Sequence, residues 1–317
     1  MYNTQTTHAE VLRKLLTEKG MTINALVKAS EISESTVKKV LRNVQEPRLY
    51  TLYCLLTALN TTMEEYYFLL HGTDMAQFNS DFAHLIDVGF GRKSQKMSIK
   101  LDELKTKPYC NLRIPYIRQA ILLADAIIAI GKDNDYDTGL ALYYEALSIT
   151  ISSKILTKSN ELKYSDIAKY KLSMNEYRIL RGIAVAFEEQ KDTQKATDIY
   201  SAILSSLESD TANYEIQKKQ LPIVYFNLSN ALIDSEQYVN ALDIVNKGID
   251  LCLKTKELKM MAYLLWNKGK STFFLDNKKL ASEFFQHAYK YFKDMEDEGM
   301  LEGLRTTAKT KYDVLLQ

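Results

Sequence analysis

The chain has 317 residues, of which 46% are hydrophobic and 26% are charged; this composition is typical of a folded globular protein, and the length favours about two domains. Its 41 basic and 40 acidic residues nearly cancel, so the net charge gives no sign that the whole chain binds nucleic acid or membranes. Any basic surface must be local. The three cysteines, Cys54, Cys110 and Cys252, are far apart and odd in number. This pattern favours reduced thiols over a disulfide framework.

Neither the N-terminus nor the apolar runs indicate a membrane protein. The first residues, MYNTQTTHAEVLRKLL, lack a basic stretch followed by an apolar block, and the longest apolar run lies near AIIAI at 126–130. That run is far too short to span a bilayer. We therefore expect a soluble, cytoplasmic protein with no membrane partner.

The distribution of glycine and proline favours helices throughout. Only 11 Gly and 4 Pro interrupt the chain, while Leu, Ala, Lys, Glu and Tyr recur at helical spacings. The sequence therefore predicts an all-α fold. Residues 8–70 carry five short helical patterns, each preceded by a polar residue that can cap a helix, and they predict a five-helix bundle within an N-terminal domain at 1–72.

A second segment, 73–114, is predicted to connect this bundle to the rest of the chain. It begins with a helix-like stretch, MAQFNSDFAHLIDVGF, and continues through basic and polar residues that contain few large apolar side chains. We interpret 73–114 as a linker helix followed by a loop-rich joint around 91–108.

Within the bundle, the stretch ISESTVKKVLRN at 32–43 has two distinct faces. Val37 and Val40 are three residues apart, so they point to the same side of a helix with Leu41 beside them. Ser33 can cap this helix, and Asn43 suits a left-handed residue at its end. The opposite side is predicted to be exposed, and it carries Glu34, Ser35, Lys38, Lys39 and Arg42.

Residues 20–65 resemble the helix-turn-helix of the lambda-repressor/Cro class without a gap. The resemblance includes Gly20 and Thr22 before the second helix, Ile32-Ser33 in the turn, and Ser35-Thr36-Val37 in the third helix. It implies that the third helix reads base edges in the DNA major groove while basic side chains contact phosphates. The DNA-binding residues implied are Thr22, Ser33, Glu34, Ser35, Thr36, Lys38, Lys39, Arg42 and Arg48.

Three residues depart from this class. Ile23 stands where a Gln often anchors a phosphate, Glu31 stands where a Gly commonly makes the turn, and Leu41 replaces a common polar residue. A left-handed Glu31 would cost roughly 1 kcal/mol. With fewer polar anchors, one domain is expected to bind weakly, so we predict a homodimer on a palindromic operator.

From about residue 115 the chain repeats a small residue followed by bulky ones on one helix face. Four segments show this pattern, with anchors at Gly139, Ala196, Ala241 and Ala281. Small residues at such positions let paired helices cross closely. Residues 115–317 therefore resemble tetratricopeptide repeats and predict a helical-repeat superhelix, although the anchor spacing exceeds the 34 residues that are typical of that family.

A helix-turn-helix followed by such repeats resembles the peptide-pheromone-responsive regulators of Gram-positive bacteria, the PlcR, PrgX and Rgg group. The resemblance covers nearly the whole chain. It implies a transcription regulator whose repeats bind a short signalling peptide and form the dimer. In that group an Asn at the position of Asn227 holds the peptide backbone, which an amide can do because it both donates and accepts hydrogen bonds.

The candidate peptide-binding residues follow from that position. Asn267 lies forty residues after Asn227 at the matching place in the next repeat, and Asn230 lies on the same helix as Asn227. Aromatic side chains nearby would form apolar pockets. The predicted set is Asn227, Asn230, Asn267, Phe226, Tyr263, Trp266 and Phe273.

The sequence gives no sign of an enzyme. The four histidines lack the spacing of metal ligands, no Cys lies within four residues of another, and no nucleophile is paired with a base. We therefore expect no metal, no cofactor and no catalytic residue. The alternative function that stays open is a repeat-based scaffold or a regulator of a partner protein, in which the helix-turn-helix no longer binds DNA.

Overall fold

A computed structural model describes residues 6–89, 94–151, 162–168, 170–209, 214–256, 258–294 and 298–316. In these ranges all assigned secondary-structure elements are helices, which confirms the predicted all-α class. The first ten helices are α1 His8–Glu18, α2 Ile23–Ser30, α3 Glu34–Leu41, α4 Leu49–Ala58, α5 Met63–His71, α6 Thr73–Gly89, α7 Ser94–Lys105, α8 Pro115–Asp133, α9 Tyr136–Thr150 and α10 Tyr164–Ile167. The others are α11 Met174–Glu189, α12 Thr193–Ser209, α13 Tyr214–Asp234, α14 Tyr238–Thr255, α15 Leu258–Phe274, α16 Lys278–Asp294 and α17 Glu298–Tyr312.

Helices α1 to α5 form the predicted five-helix bundle. Capping boxes start α1 and α5, where Thr7 and Thr62 each exchange hydrogen bonds with a Glu three residues later. Leu12, Leu26 and Leu55 are fully buried between the helices. These caps and this apolar core explain why such short helices are stable, since isolated helices of this length are marginal in water.

The predicted loop-rich joint at 91–108 is wrong over most of its length, because Ser94–Lys105 is helix α7. Met97, Leu101 and Leu104 are buried, and their spacing of four and three residues places them on one face. The basic and polar residues between them hid this narrow apolar stripe in the sequence. Residues 91–93 of the predicted joint lie outside the described residues.

Packing divides the chain into two units, Met1–Gly182 and Ile183–Gln317. In the first unit, helix α5 is tied to later parts of the chain: the Tyr116 hydroxyl of α8 donates to Glu64 at 2.9 Å, and Lys171, between α10 and α11, donates to Glu65 at 3.0 Å. The boundaries at 72 and 114, which divide the chain by function, stay predictions.

The repeat anchors mark close helix crossings. Gly139, Ala196, Ala241 and Ala281 are all buried. In the first unit α8 packs on α9, and in the second unit α15 packs on α13, α14 and α16. A Cβ added at Gly269 of α15 would lie 2.6 Å from the Phe285 ring of α16, so only glycine fits there. The helical-repeat prediction is confirmed.

Candidate functional site

The third helix is built as predicted. Val37 and Val40 have no exposed surface and Leu41 is 6% exposed, so the inward face of α3 is confirmed. At its start the Ser33 hydroxyl accepts a hydrogen bond from the Thr36 amide at 3.3 Å. The two hydroxyls also bond to each other at 2.8 Å. The cap fixes the helix N-terminus, which is the end that can approach DNA.

The outward face of α3 is polar and exposed, as predicted. Glu34, Ser35, Lys38, Lys39 and Arg42 are all exposed. Lys38 forms an ion pair with Glu34 at 2.5 Å, and the hydrogen bond from Lys38 lowers the pKa of the Glu34 carboxyl. This pair neutralises itself, so the positive charge available to phosphates on this face comes from Lys39 and Arg42.

The flanking residues of the motif take the expected backbone positions. Thr22 caps α2 and accepts from the Ala25 amide at 3.2 Å. Arg48 precedes α4 and is exposed, with no side-chain cap bond. Glu31 and Asn43 have φ of 57° and 58°. The left-handed turn at Glu31 is therefore present without the glycine that would adopt it most easily.

In the second unit, Asn227 presents an amide that no described residue uses. Its side chain is partly exposed on α13 and makes no hydrogen bond to another described residue. On α13 the preceding residue is Phe226, whose ring lies 5.2 Å from that of Tyr263 on α15, and both rings are partly exposed. An amide and aromatic surface are therefore both accessible on this part of α13 and α15, and these are groups that can bind an extended apolar peptide.

The predicted partner of Asn227 lies in a different environment. Asn267 has no exposed surface, and its amide nitrogen donates to the Phe226 carbonyl at 3.3 Å and to the Ser229 hydroxyl at 2.8 Å. Its carbonyl oxygen has no partner among the described residues. The two Asn positions are therefore not equivalent: Asn267 joins α13 to α15. Direct contact of Asn267 with a peptide stays a prediction and requires these helices to separate.

Of the predicted aromatic residues, Trp266 belongs to the core of the repeats, and both Phe273 and Tyr263 are partly buried and pack against that core. Trp266 is 7% exposed and lies 4.7 Å from the Phe285 ring. Phe273 is partly buried and packs against Tyr312 at 5.0 Å. Trp266 therefore packs its own helix, α15, against α16. Sequence spacing alone could not distinguish it from a residue that lines a groove.

Two family profiles match the chain. The profile of the Cro/C1-type HTH DNA-binding domain matches residues 11–66. The profile of the RNPP family C-terminal domain matches residues 143–312, more than half of the chain. The chain belongs to the RNPP family. These matches confirm the predicted class, a transcription regulator with a helix-turn-helix DNA-binding domain and a peptide-binding repeat domain.

Solved structures support this RNPP assignment at the level of the fold. Bacillus thuringiensis PlcR in complex with the peptide PapR7 and DNA is similar over 94% of this chain and 98% of that chain, with a TM-score of 0.60 and 19% identity. The apo form of ComR from S. thermophilus is similar over 94% and 96%, with a TM-score of 0.56 and 13% identity. No curated protein sequence matches the chain.

One polar residue of the RNPP repeat region was missed by the sequence reasoning. The Lys270 ammonium lies 3.2 Å from the side-chain oxygen of Asn230, and burial lowers the pKa of Lys270. The signal was present, since Lys270 follows Asn267 by one helical turn. It was overlooked because lysine is usually a solvated surface residue.

The described residues of this RNPP protein show no pattern of a metal site, a membrane-spanning helix or a disulfide bond. Among them, no three His, Cys, Asp or Glu side chains are grouped so that they could hold a metal ion. No helix in the described ranges is long and apolar enough to cross a membrane. Cys54, Cys110 and Cys252 are buried and are not joined in disulfide bonds.

Proposed function

We propose that this RNPP protein is a cytoplasmic regulator that binds a palindromic operator as a homodimer and is controlled by a short signalling peptide. Residues 1–72 are the DNA-binding domain, 73–114 connect it, and 115–317 hold the peptide and form the dimer. The PlcR structure, with its peptide and DNA, is the precedent for combining the two ligands in one chain of this fold.

On the DNA side, α3 lies in the major groove. Glu34, Ser35 and Lys38 face the base edges, because residues near the N-terminus of a recognition helix approach the bases. Lys39, Arg42 and Arg48 contact phosphates, which supply affinity without sequence preference. Thr22, Ser33 and Thr36 lie at helix N-termini, where backbone amides and hydroxyls suit phosphate oxygens.

On the peptide side, the Asn227 amide pairs with a backbone unit of an extended peptide. The absence of a hydrogen bond from its side chain to any other described residue supports this role. Phe226 and Tyr263 pack against an apolar side chain of the same peptide. Because an amide pairs with any peptide unit, Asn227 supplies affinity, and the neighbouring side chains supply selectivity.

The exposed polar face of α3, opposite the fully buried Val37 and Val40, carries the DNA-binding proposal. The test is selection of random duplexes by the full-length protein, followed by titrations at several salt concentrations. Arg42→Ala should weaken binding to all sequences alike and reduce the slope of log affinity against log salt by about one. Ser35→Ala should change which bases are preferred.

Lys293→Ala is the control for this experiment, since Lys293 is exposed on α16, outside the proposed DNA-binding domain. It should leave both the salt slope and the selected sequences unchanged. If Arg42→Ala and Ser35→Ala behave like this control, α3 is not the recognition helix.

A further inference from the structure

Among the described residues, Lys270 is a shielded cation that forms no ion pair. Its one hydrogen bond within these residues goes to the neutral side-chain oxygen of Asn230 at 3.2 Å. Within the described residues no carboxylate lies at ion-pair distance from its ammonium. Burial is the main cause that lowers the pKa of Lys270, which means that the charged form is poorly solvated.

A comparison within the chain shows that this arrangement is unusual. The Lys171 side chain is also shielded, at 16% exposed, but its ammonium meets the Glu65 carboxylate at 3.0 Å. Even the well-exposed Lys38 is paired with Glu34. A lysine whose ammonium is shielded from water usually forms an ion pair with a nearby anion. Lys270 forms no such ion pair within the described residues.

The charged groups around Lys270 do not supply that partner. Glu188 and Asp234 favour its charge from a distance, and Lys311 opposes it. Asp234 and Lys311 are exposed and solvated. Glu188 accepts a hydrogen bond from the Tyr200 hydroxyl at 3.1 Å, and burial raises its pKa to about 7, so it is only partly ionised at neutral pH.

The position of Lys270 connects it to the proposed peptide site. Asn230, its hydrogen-bond partner, follows Asn227 by three residues on α13, so the two amides share a helix face. Three helical residues advance about 4.5 Å, whereas an extended peptide advances about 3.3 Å per residue. A group held at Lys270 therefore lies one or two peptide residues from the unit held at Asn227.

We propose that Lys270 binds a carboxylate of the signalling peptide and thereby selects peptides that carry a negative charge at this point. The inference rests on the proposed peptide-binding function and adds the chemical group of the peptide that this site selects. A charge-assisted hydrogen bond from a partly desolvated ammonium is stronger than one between neutral groups. The carboxylate belongs either to the C-terminus of the peptide or to an Asp or Glu side chain, and the two sources are separable by experiment.

The probe is a pooled library of apolar heptapeptides. One pair of pools compares free C-termini with C-terminal amides. A second pair compares peptides that carry Asp with peptides that carry Asn at the same fixed position. Full-length protein is incubated with each pool, and bound peptides are measured by mass spectrometry. Wild type should retain carboxylate-bearing peptides about tenfold to a hundredfold better than their neutral counterparts. Loss on amidation identifies the C-terminus, and loss on Asp to Asn exchange identifies a side chain.

The decisive variant is Lys270→Met, which keeps the length of the side chain and removes its charge. It should bind acids and amides equally well, whereas Lys270→Arg should keep the preference for a carboxylate. Lys268→Met on the same helix is the matched control and should behave like wild type. Thermal unfolding of each variant shows that the fold is retained.

The outcomes separate this inference from the proposed function. If wild type binds peptides but Lys270→Met keeps the full preference for a carboxylate, or if wild type has no such preference, the role of Lys270 is overturned and the peptide-binding function stands. If wild type binds no peptide in any pool, both are overturned.

Discussion

Asn227 and Asn267 occupy matching repeat positions but have different surroundings. We therefore expect substitution of Asn227 to change peptide affinity and substitution of Asn267 to change the stability of the fold. Asn227 is partly exposed and Asn267 has no exposed surface. Asn227→Ala should lower affinity for a peptide recovered from the free-acid library by roughly tenfold or more, since it leaves a peptide unit unpaired, and should change stability by less than about 0.5 kcal/mol.

Asn267→Ala should have the larger effect on the fold. It removes two hydrogen bonds between α13 and α15, which should lower the free energy of unfolding by about 1–3 kcal/mol. Urea denaturation and calorimetry on both variants check this pair of predictions. An Asn267→Ala protein of wild-type stability with weakened peptide binding would show instead that Asn267 contacts the peptide directly.

Glu188 gives the second unit a pH-dependent stability. Burial, the largest cause, raises its pKa from 4.5 to about 7; Asp234 and Glu189 raise it further, while Tyr200 and Lys270 oppose the shift. Between pH 4.5 and about pH 7, Glu188 holds a proton in the folded protein and releases it in the unfolded chain. The stabilisation from this proton is therefore complete below about pH 4.5 and is lost as pH rises through about 7.

The contribution of Glu188 is on the order of 1–3 kcal/mol, reduced from the full linkage value because the carboxyl is partly exposed. Glu188→Gln still accepts a hydrogen bond from Tyr200 but does not titrate. We expect urea denaturation between pH 5 and pH 8 to show a flatter decline of stability in this variant. An unchanged slope would mean that Glu188 titrates near its ordinary pKa in the folded protein.

At the scale of elements, close helix crossings hold the repeats together, and Gly269 tests this directly. A Cβ there would lie 2.6 Å from the Phe285 ring, which is fully buried. Gly269→Ala should therefore lower the free energy of unfolding by about 1–3 kcal/mol through overpacking. Thermal and urea unfolding measure the change.

Gly303 in α17 is the matched control, because a Cβ at this position meets no atom within 4 Å. Gly303→Ala should stabilise the protein by about 0.5–1 kcal/mol, since alanine favours a helix interior. Equal effects of the two substitutions would contradict the close packing of α15 on α16.

At the scale of the whole molecule, the proposed operator symmetry requires a dimer. Ile23 stands where a Gln often anchors a phosphate, so we expect one domain to bind weakly and two domains on two half-sites to bind firmly. A two-fold dimer presents two such domains to a palindrome. Sedimentation of the full chain at micromolar concentration should give twice the 36.4 kDa of one chain, and a monomer would remove this part of the proposal.

The sequence by itself determined the features that depend on local periodicity. The two faces of α3 follow from the spacing of Val37 and Val40, and the caps at Ser33 and Thr22 follow from hydroxyl side chains placed before apolar runs. The order of helix-turn-helix and repeats was enough to predict the family. These features were predictable because a helix repeats every 3.6 residues whatever it packs against.

Only the tertiary structure decided which polar side chains of the repeats are available to a ligand. Asn227 and Asn267 have the same repeat position, yet the carbonyl and hydroxyl of α13 take up the Asn267 amide alone. Likewise, Lys270 meets Asn230 across forty residues of sequence. The reason is physical: whether a side chain is covered depends on a neighbouring helix that arrives from elsewhere in the chain, and the periodicity of one helix carries no information about that neighbour.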